Sequence, residues 1–272
     1  MSETAPYIDP LVIRSLEFMG PMAEAGGWRP PSELPEIAFV GRSNVGKSSL
    51  LNRLVRRKAF ARVSNTPGRT REINFFKVNG TFVLADLPGY GYARISKERK
   101  AAWKPLIEGF LRHSPMLRGV VQLIDVRHDP TPDDEAMLTF LATLGVPTLV
   151  VFTKVDKLRP RERTERIPSL LERLELDPSQ VVTFSSTTGE GRDELAEAVV
   201  SLCDGPSWRE ATMAEDVDDA APGDASETRA GPSRPRGSPT RWSSARCWAS
   251  RAAHREPCRP PAVSRPSVRR RC

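Results

Sequence analysis

The sequence offers little thiol or imidazole chemistry. Four cysteines and three histidines are spread over 272 residues, with no CxxC pair and no histidine at zinc-finger spacing. Cys247, Cys258 and Cys272 all lie toward the C-terminal end. That pattern excludes a disulfide framework and a thiolate metal centre. Long hydrophobic runs are also missing. The longest, such as TLVVF at 148–152, are strand-sized and far short of the roughly 20 residues that a membrane-crossing helix needs. No membrane partner is expected. The N-terminal MSETAPYIDPLVIRSLEF has no basic region followed by an apolar core, so a cytoplasmic protein is expected.

Positive charge is present but localised. The net charge is +7, yet residues 229–272 carry 12 arginines against one acid, Glu256, a balance of +11 that leaves residues 1–228 at −4. From Ser207 the composition turns acidic and then rich in Arg, Pro, Ser and Ala without periodicity, which cannot bury enough apolar surface to fold. Residues 206–272 are read as a disordered, solvated tail, with an RNA-binding arm as the alternative.

Residues 36–205 alternate β-branched or aromatic runs with amphipathic segments, the pattern of an α/β domain with a largely parallel sheet. Strands are predicted at 36–41, 73–79, 82–87, 119–126, 147–153 and 181–186, and helices at 47–57, 97–112, 132–144, 160–174 and 190–203. The second and third strands are separated by little more than Asn79-Gly80, a hairpin signal. The expectation is a three-layer αβα fold whose mostly parallel six-stranded sheet has one antiparallel edge strand. Residues 1–35 are read as an N-terminal extension.

Between the first strand and first helix stands GRSNVGKSS, 41–49, which fits G-x-x-x-x-G-K-[ST]. Glycines let such a loop curl around a phosphate chain, main-chain N–H groups and the helix N-terminus supply positive potential, and Lys47 neutralises the β/γ oxygens while Ser48 takes Mg2+. Downstream, DLPG (86–89) ends a strand, as suits an Asp86 that holds Mg2+ through water and a Gly89 whose N–H meets a γ-phosphate. TKVD (153–156) ends another. There the Asp156 carboxylate would accept from N1–H and the 2-amino group of guanine, donors that adenine lacks. Lys154 would lie along the base, and SST (185–187) would offer N–H groups to O6. The order and placement point to GTP and GDP. Within NTPGRTREINFF (65–76), Thr70 is the candidate to close on Mg2+ and γ-phosphate, with Thr66 its rival.

These residues resemble the EngB (YihA, YsxC) GTP-binding proteins, small relatives of the Era-type P-loop GTPases, through FVGRSNVGKSSLLN, TPGRTREINFF, LADLPGYGYA, DVRHDPTPDD, FTKVDK and SSTTGEG. Thr153, where the commoner guanine motif has Asn, is then a family mark. The resemblance implies a GTPase that assists late assembly of the large ribosomal subunit, with its rRNA as partner, and whose loss disturbs cell division and septation. Carried over by position, Gly41, Arg42, Ser43, Asn44, Val45, Gly46, Lys47 and Ser48 bind phosphates. Ser48 and Thr70 bind Mg2+, and Gly68, Arg69, Thr70, Arg71 and Glu72 form a switch. Asp86, Leu87, Pro88 and Gly89 serve the Mg2+ and γ-phosphate side, while Thr153, Lys154, Val155 and Asp156 with Phe184, Ser185 and Ser186 hold the base. Lys47, Thr70 and Gly89 are the catalytic candidates. The alternative is a GTP/GDP-gated module that recruits division proteins without ribosome contact.

Tyr90 occupies the position after DxxG where Ras-like enzymes place a water-orienting Gln, so slow hydrolysis without an activator is expected. K+ is a candidate helper, because Asn44 sits in a GxxNxGKS pattern like that of related potassium-activated GTPases; an Asn that merely tolerates a tight loop is the other reading. Arg53, Arg56, Arg57, Lys58 and Arg62, and Lys97, Arg99, Lys100 and Lys104 with Trp103, are candidate rRNA contacts. His113 and His128 fall outside the phosphate motifs and read as surface or capping residues. DVRHDPTPDD receives no mechanism beyond a strand end and an N-capped helix. A monomer is expected.

Overall fold

A computed structural model describes residues 7–57, 72–91 and 97–209. The strands are β1 (Leu16–Met22), β2 (Glu36–Gly41), β3 (Ile73–Val78), β4 (Phe82–Asp86), β5 (Leu117–Asp125), β6 (Thr148–Thr153) and β7 (Val181–Phe184). The helices are α1 (Lys47–Leu54), α2 (Lys97–His113), α3 (Pro132–Leu144), α4 (Pro160–Arg173) and α5 (Arg192–Asp204). Each predicted element is found within a few residues of its expected ends.

The sheet has seven strands in the order β1-β3-β4-β2-β5-β6-β7, one more than expected. The addition is β1, which lies in the N-terminal extension and pairs antiparallel with β3 through a bulge between Phe18 and Gly20. The antiparallel strand β3 is therefore covered rather than at the edge. Gly20 and Pro21 interrupt the alternation by which a strand is recognised, and Pro lacks a ladder donor, so such a segment is tolerated at an edge.

Alternation along β2 builds the three layers. Ile37 and Phe39 face α1 and α5, joining Leu50, Leu51, Leu54, Leu195 and Val199. Ala38 and Val40 face the other way, joining Leu106, Ile107 and Phe110 of α2 and Met137 and Leu141 of α3. Ile124, Val150 and Phe152 pack with Leu138 of α3 and Leu170 of α4. Leu50, Leu51 and Leu54 are completely buried, each contributing about 2 kcal/mol of apolar burial.

Packing contacts continue past the expected start of the tail. Trp208 is buried in the α2/α3 layer, and the Arg209 guanidinium donates to the Leu111 and Arg112 carbonyls at 3.2 and 2.6 Å. A single tryptophan inside a polar stretch gives no periodic signal, which is why composition set the boundary a few residues early. The rest of the expected tail lies outside the described residues. Among the described residues no helix is long and apolar enough to cross a membrane.

Candidate functional site

The parallel strands end at one edge of the sheet, where ligands bind in open α/β folds. Register aligns these ends: Phe39 pairs with Asp86, Asp125 with Thr153, and Thr153 with Phe184. The P-loop, DLPG, TKVD and the SST loop all leave from that edge.

Gly46 turns the P-loop into α1 with φ of 108°, a conformation that glycine adopts without penalty. DLPG lies directly against this loop. Leu87 N–H donates to the Phe39 carbonyl at 3.0 Å, Tyr90 N–H to the Gly41 carbonyl at 3.2 Å, and Ser43 N–H to the Tyr90 carbonyl at 2.8 Å. A Cβ on Gly89 would come within 3.1 Å of Ser43 N and Cα, so a side chain there would push the P-loop back by a few tenths of an ångström. The Lys47 ammonium forms an ion pair with Asp86, and both residues are buried.

TKVD is bolted to the P-loop twice. The buried Thr153 hydroxyl donates to the Val45 carbonyl at 2.8 Å. Lys154 Nζ donates to the Asn44 carbonyl at 2.7 Å and to Asp125 Oδ2 at 2.8 Å. Burial pushes the Asp125 carboxyl upward, but Arg127 and Lys154 outweigh it and bring the pKa down to about 2. Asp125 opens DVRHDPTPDD, so that motif positions Lys154. A polar cavity of about 280 Å³ lies between the P-loop and the turn after β5, lined by Arg42, Asn44, Asp125, Arg127, His128 and Lys154 among others.

Asp156 Oδ1 accepts from the fully buried Ser185 hydroxyl at 2.7 Å. Burial opposes the ionised carboxylate, but Ser185 and Lys157 prevail and hold its pKa below the usual value. Ser185 also organises its loop: its hydroxyl accepts from Thr187 and Thr188 N–H at 3.2 and 3.1 Å, and its own N–H donates to the Glu190 carbonyl at 3.0 Å. Val155 and Phe184 are buried in the core, so only their main chains are left to touch a ligand.

The phenol of Tyr90 is 1% exposed. Its hydroxyl donates to Asp134 Oδ1 at 2.8 Å and accepts from Gln122 Nε2. Burial and the neighbouring Asp134 carboxylate push its pKa well above the ordinary value. Asp134 Oδ2 meanwhile caps α3, accepting from Thr131 N–H at 2.9 Å and Thr131 Oγ1 at 2.7 Å.

Gly68, Arg69, Thr70 and Arg71 lie outside the described residues, as do Thr66, Lys58 and Arg62; Glu72 immediately precedes β3. In the first basic cluster Arg56 pairs with Asp9 at 3.3 Å and Asp193 at 3.5 Å, and Arg53 donates to the Thr187 carbonyl at 3.3 Å. Lys104 is exposed, 3.6 Å from Glu108. His113 Nδ1 lies 2.9 Å from the Gly109 carbonyl near the end of α2.

A mostly parallel sheet with a P-loop, a DxxG turn against it and a carboxylate-bearing base loop defines a P-loop GTPase. Residues 36–154 match the family model described as a 50S ribosome-binding GTPase. The chain is 68% identical over 199 residues to a probable GTP-binding protein EngB of Gemmatimonas aurantiaca, covering 73% of this chain and 98% of that protein. To a probable EngB of Pelotomaculum thermopropionicum it is 47% identical over 188 residues, 69% and 94% of the two chains. Among solved structures, a probable GTP-binding protein engB aligns with a TM-score of 0.54 at 28% identity, covering 64% of this chain and 99% of that one. A point variant of Aquifex aeolicus Era bound to GDP.AlF4- aligns with a TM-score of 0.52 at 25% identity, covering 64% and 58%. The chain belongs to the EngB family of GTP-binding proteins.

Proposed function

We propose that this protein hydrolyses GTP slowly and acts in late assembly of the large ribosomal subunit, with normal cell division and septation depending on it. The nucleotide half of this reading is carried by Asp156, held ionised by Ser185 at the mouth of a P-loop to which TKVD is bonded through Thr153. The ribosomal half is supported by the matched family model, described as a 50S ribosome-binding GTPase, and by the motif resemblance.

Gly41 to Ser48 cradle the phosphates, and Asp156 reads guanine. Since the Thr187 and Thr188 amides are taken by Ser185, the Ser186 amide is the donor for O6. Mg2+ would suit the hard oxygens of Ser48 and, in the triphosphate state, Thr70, with the Asp86 carboxylate holding it through water. When bound, the metal would neutralise phosphate charge. Lys47, now on Asp86, moves to those phosphates when they arrive. Gly89 N–H meets the γ-phosphate.

Tyr90, buried in the core, is not placed to orient a water, which supports slow turnover until a ribosomal activator or K+ assists. For K+, the Asn44 main-chain oxygen is engaged by Lys154, so its side-chain oxygen is the ligand we assign. The protein works as a cytoplasmic monomer, and the chain beyond Arg209 is dispensable for nucleotide binding.

The test is sucrose-gradient co-sedimentation with separated ribosomal subunits, using the full chain and a chain ending at Arg209, with GDP or a non-hydrolysable GTP analogue. Travel with the large subunit only with the analogue is expected. A protein that binds guanine nucleotide yet stays at the top in both states and both lengths refutes the ribosomal role.

A further inference from the structure

We propose that Gln122 and Asp134 are positioning residues for the triphosphate state: they grip the Tyr90 hydroxyl and so hold Gly89 against the P-loop. This rests on the reading of Gly89 as the γ-phosphate contact.

Gly89 lies three residues past the end of β4, outside any strand, and is followed by an isolated bridge between Tyr90 and Arg42. Its neighbour helps to fix it. Tyr90 has its main chain bonded on both sides to the P-loop, to the Gly41 carbonyl and the Ser43 N–H, and its side chain sunk between β5 and α3. Both grips on the hydroxyl come from buried groups, Gln122 at 0% and Asp134 at 4% exposure. Asp134 is itself immobilised, its second oxygen occupied by Thr131. Buried phenols find hydrogen-bond partners, and leaving such groups unpaired is expensive. Outward drift of the Gly89–Tyr90 peptide would break both hydroxyl bonds and both P-loop bonds together.

The grip makes the γ-phosphate contact preorganised. GTP meets a Gly89 already beside Ser43, so its binding carries no ordering cost there. GDP has no γ-phosphate and gains nothing from the grip. The residue that replaces the water-orienting Gln of Ras-like enzymes is therefore a bolt, and the DVRHDPTPDD segment gains a second task through Asp134.

The test compares affinities of the full chain for fluorescent GDP and a fluorescent non-hydrolysable GTP analogue. Tyr90→Phe keeps the ring and removes both hydroxyl bonds; Gln122→Met removes one donor at similar volume. Analogue binding is expected to weaken about tenfold in Tyr90→Phe and less in Gln122→Met, with GDP binding unchanged. Val199→Ala, on the opposite face of the sheet, should lower the melting temperature and leave the ratio of the two affinities alone. An unchanged ratio in both Tyr90→Phe and Gln122→Met, or an equal change in Val199→Ala, overturns the proposal while leaving guanine-nucleotide binding standing. A wild-type protein that binds neither nucleotide overturns both.

Discussion

The Thr153 hydroxyl, at the end of β6, donates to the main-chain carbonyl of Val45 inside the P-loop at 2.8 Å. With the Lys154 bond to the Asn44 carbonyl, it is one of two side-chain hydrogen bonds that join TKVD to the P-loop. Thr153→Val keeps the shape and removes the donor, leaving the Val45 carbonyl unsatisfied at a cost of about 1–3 kcal/mol. GDP affinity should fall roughly tenfold by fluorescence titration, and Thr153→Ser should retain it.

In the proposed function Asp156 carries the choice of base. Asp156→Asn replaces one acceptor oxygen by a donor, so guanine loses a partner while xanthine, with oxygen in place of the 2-amino group, gains one. GTP affinity should fall by on the order of a hundredfold or more and XTP affinity should rise. Competition between the two nucleotides reads the switch; unchanged preference for GTP would place guanine recognition elsewhere.

Lys47 and Asp86 form a buried ion pair. Lys47→Met strands a buried carboxylate, which typically costs about 3–5 kcal/mol. Adding Asp86→Leu should restore most of that stability, because no lone charge is left, but neither variant should bind GTP. Urea unfolding beside nucleotide titration separates the two effects.

The Asp125 carboxyl, at a pKa of about 2, stabilises the fold in a defined pH window. Its folded pKa lies below the unfolded one, so the contribution is complete above about pH 4 and disappears as pH falls toward about 2. Wild type should exceed Asp125→Asn in stability by about 2 kcal/mol at pH 7. Urea melts should show that gap closing below pH 4; a gap constant down to pH 2 would contradict the Lys154–Asp125–Arg127 arrangement.

Motifs and strand periodicity made the αβα order and the positions of P-loop, DLPG and TKVD at strand ends readable, since each motif is contiguous. Contacts between distant segments were not readable. Tyr90 with Asp134, and Asp125 with Lys154, join residues 44 and 29 positions apart, and no local pattern marks either pair. DVRHDPTPDD was visible as a motif but mute, because Asp125 and Asp134 also reach Lys154 and Tyr90 in other segments. β1 stayed hidden because Gly20 and Pro21 disguise it and its partner β3 begins only at Ile73.

Arg192 has an implication for how this protein is made. Its buried guanidinium donates to the Leu54 and Leu11 carbonyls and pairs with Asp9, joining the first described residues to the ends of α1 and α5. The links to Asp9 and Leu11 span 183 and 181 positions. During translation the amino-terminal segment emerges first, yet its anchor appears 183 positions later. Closing so long a loop is slow, so the final fastening of this GTPase waits until α5 has left the exit tunnel of the ribosome that synthesises it.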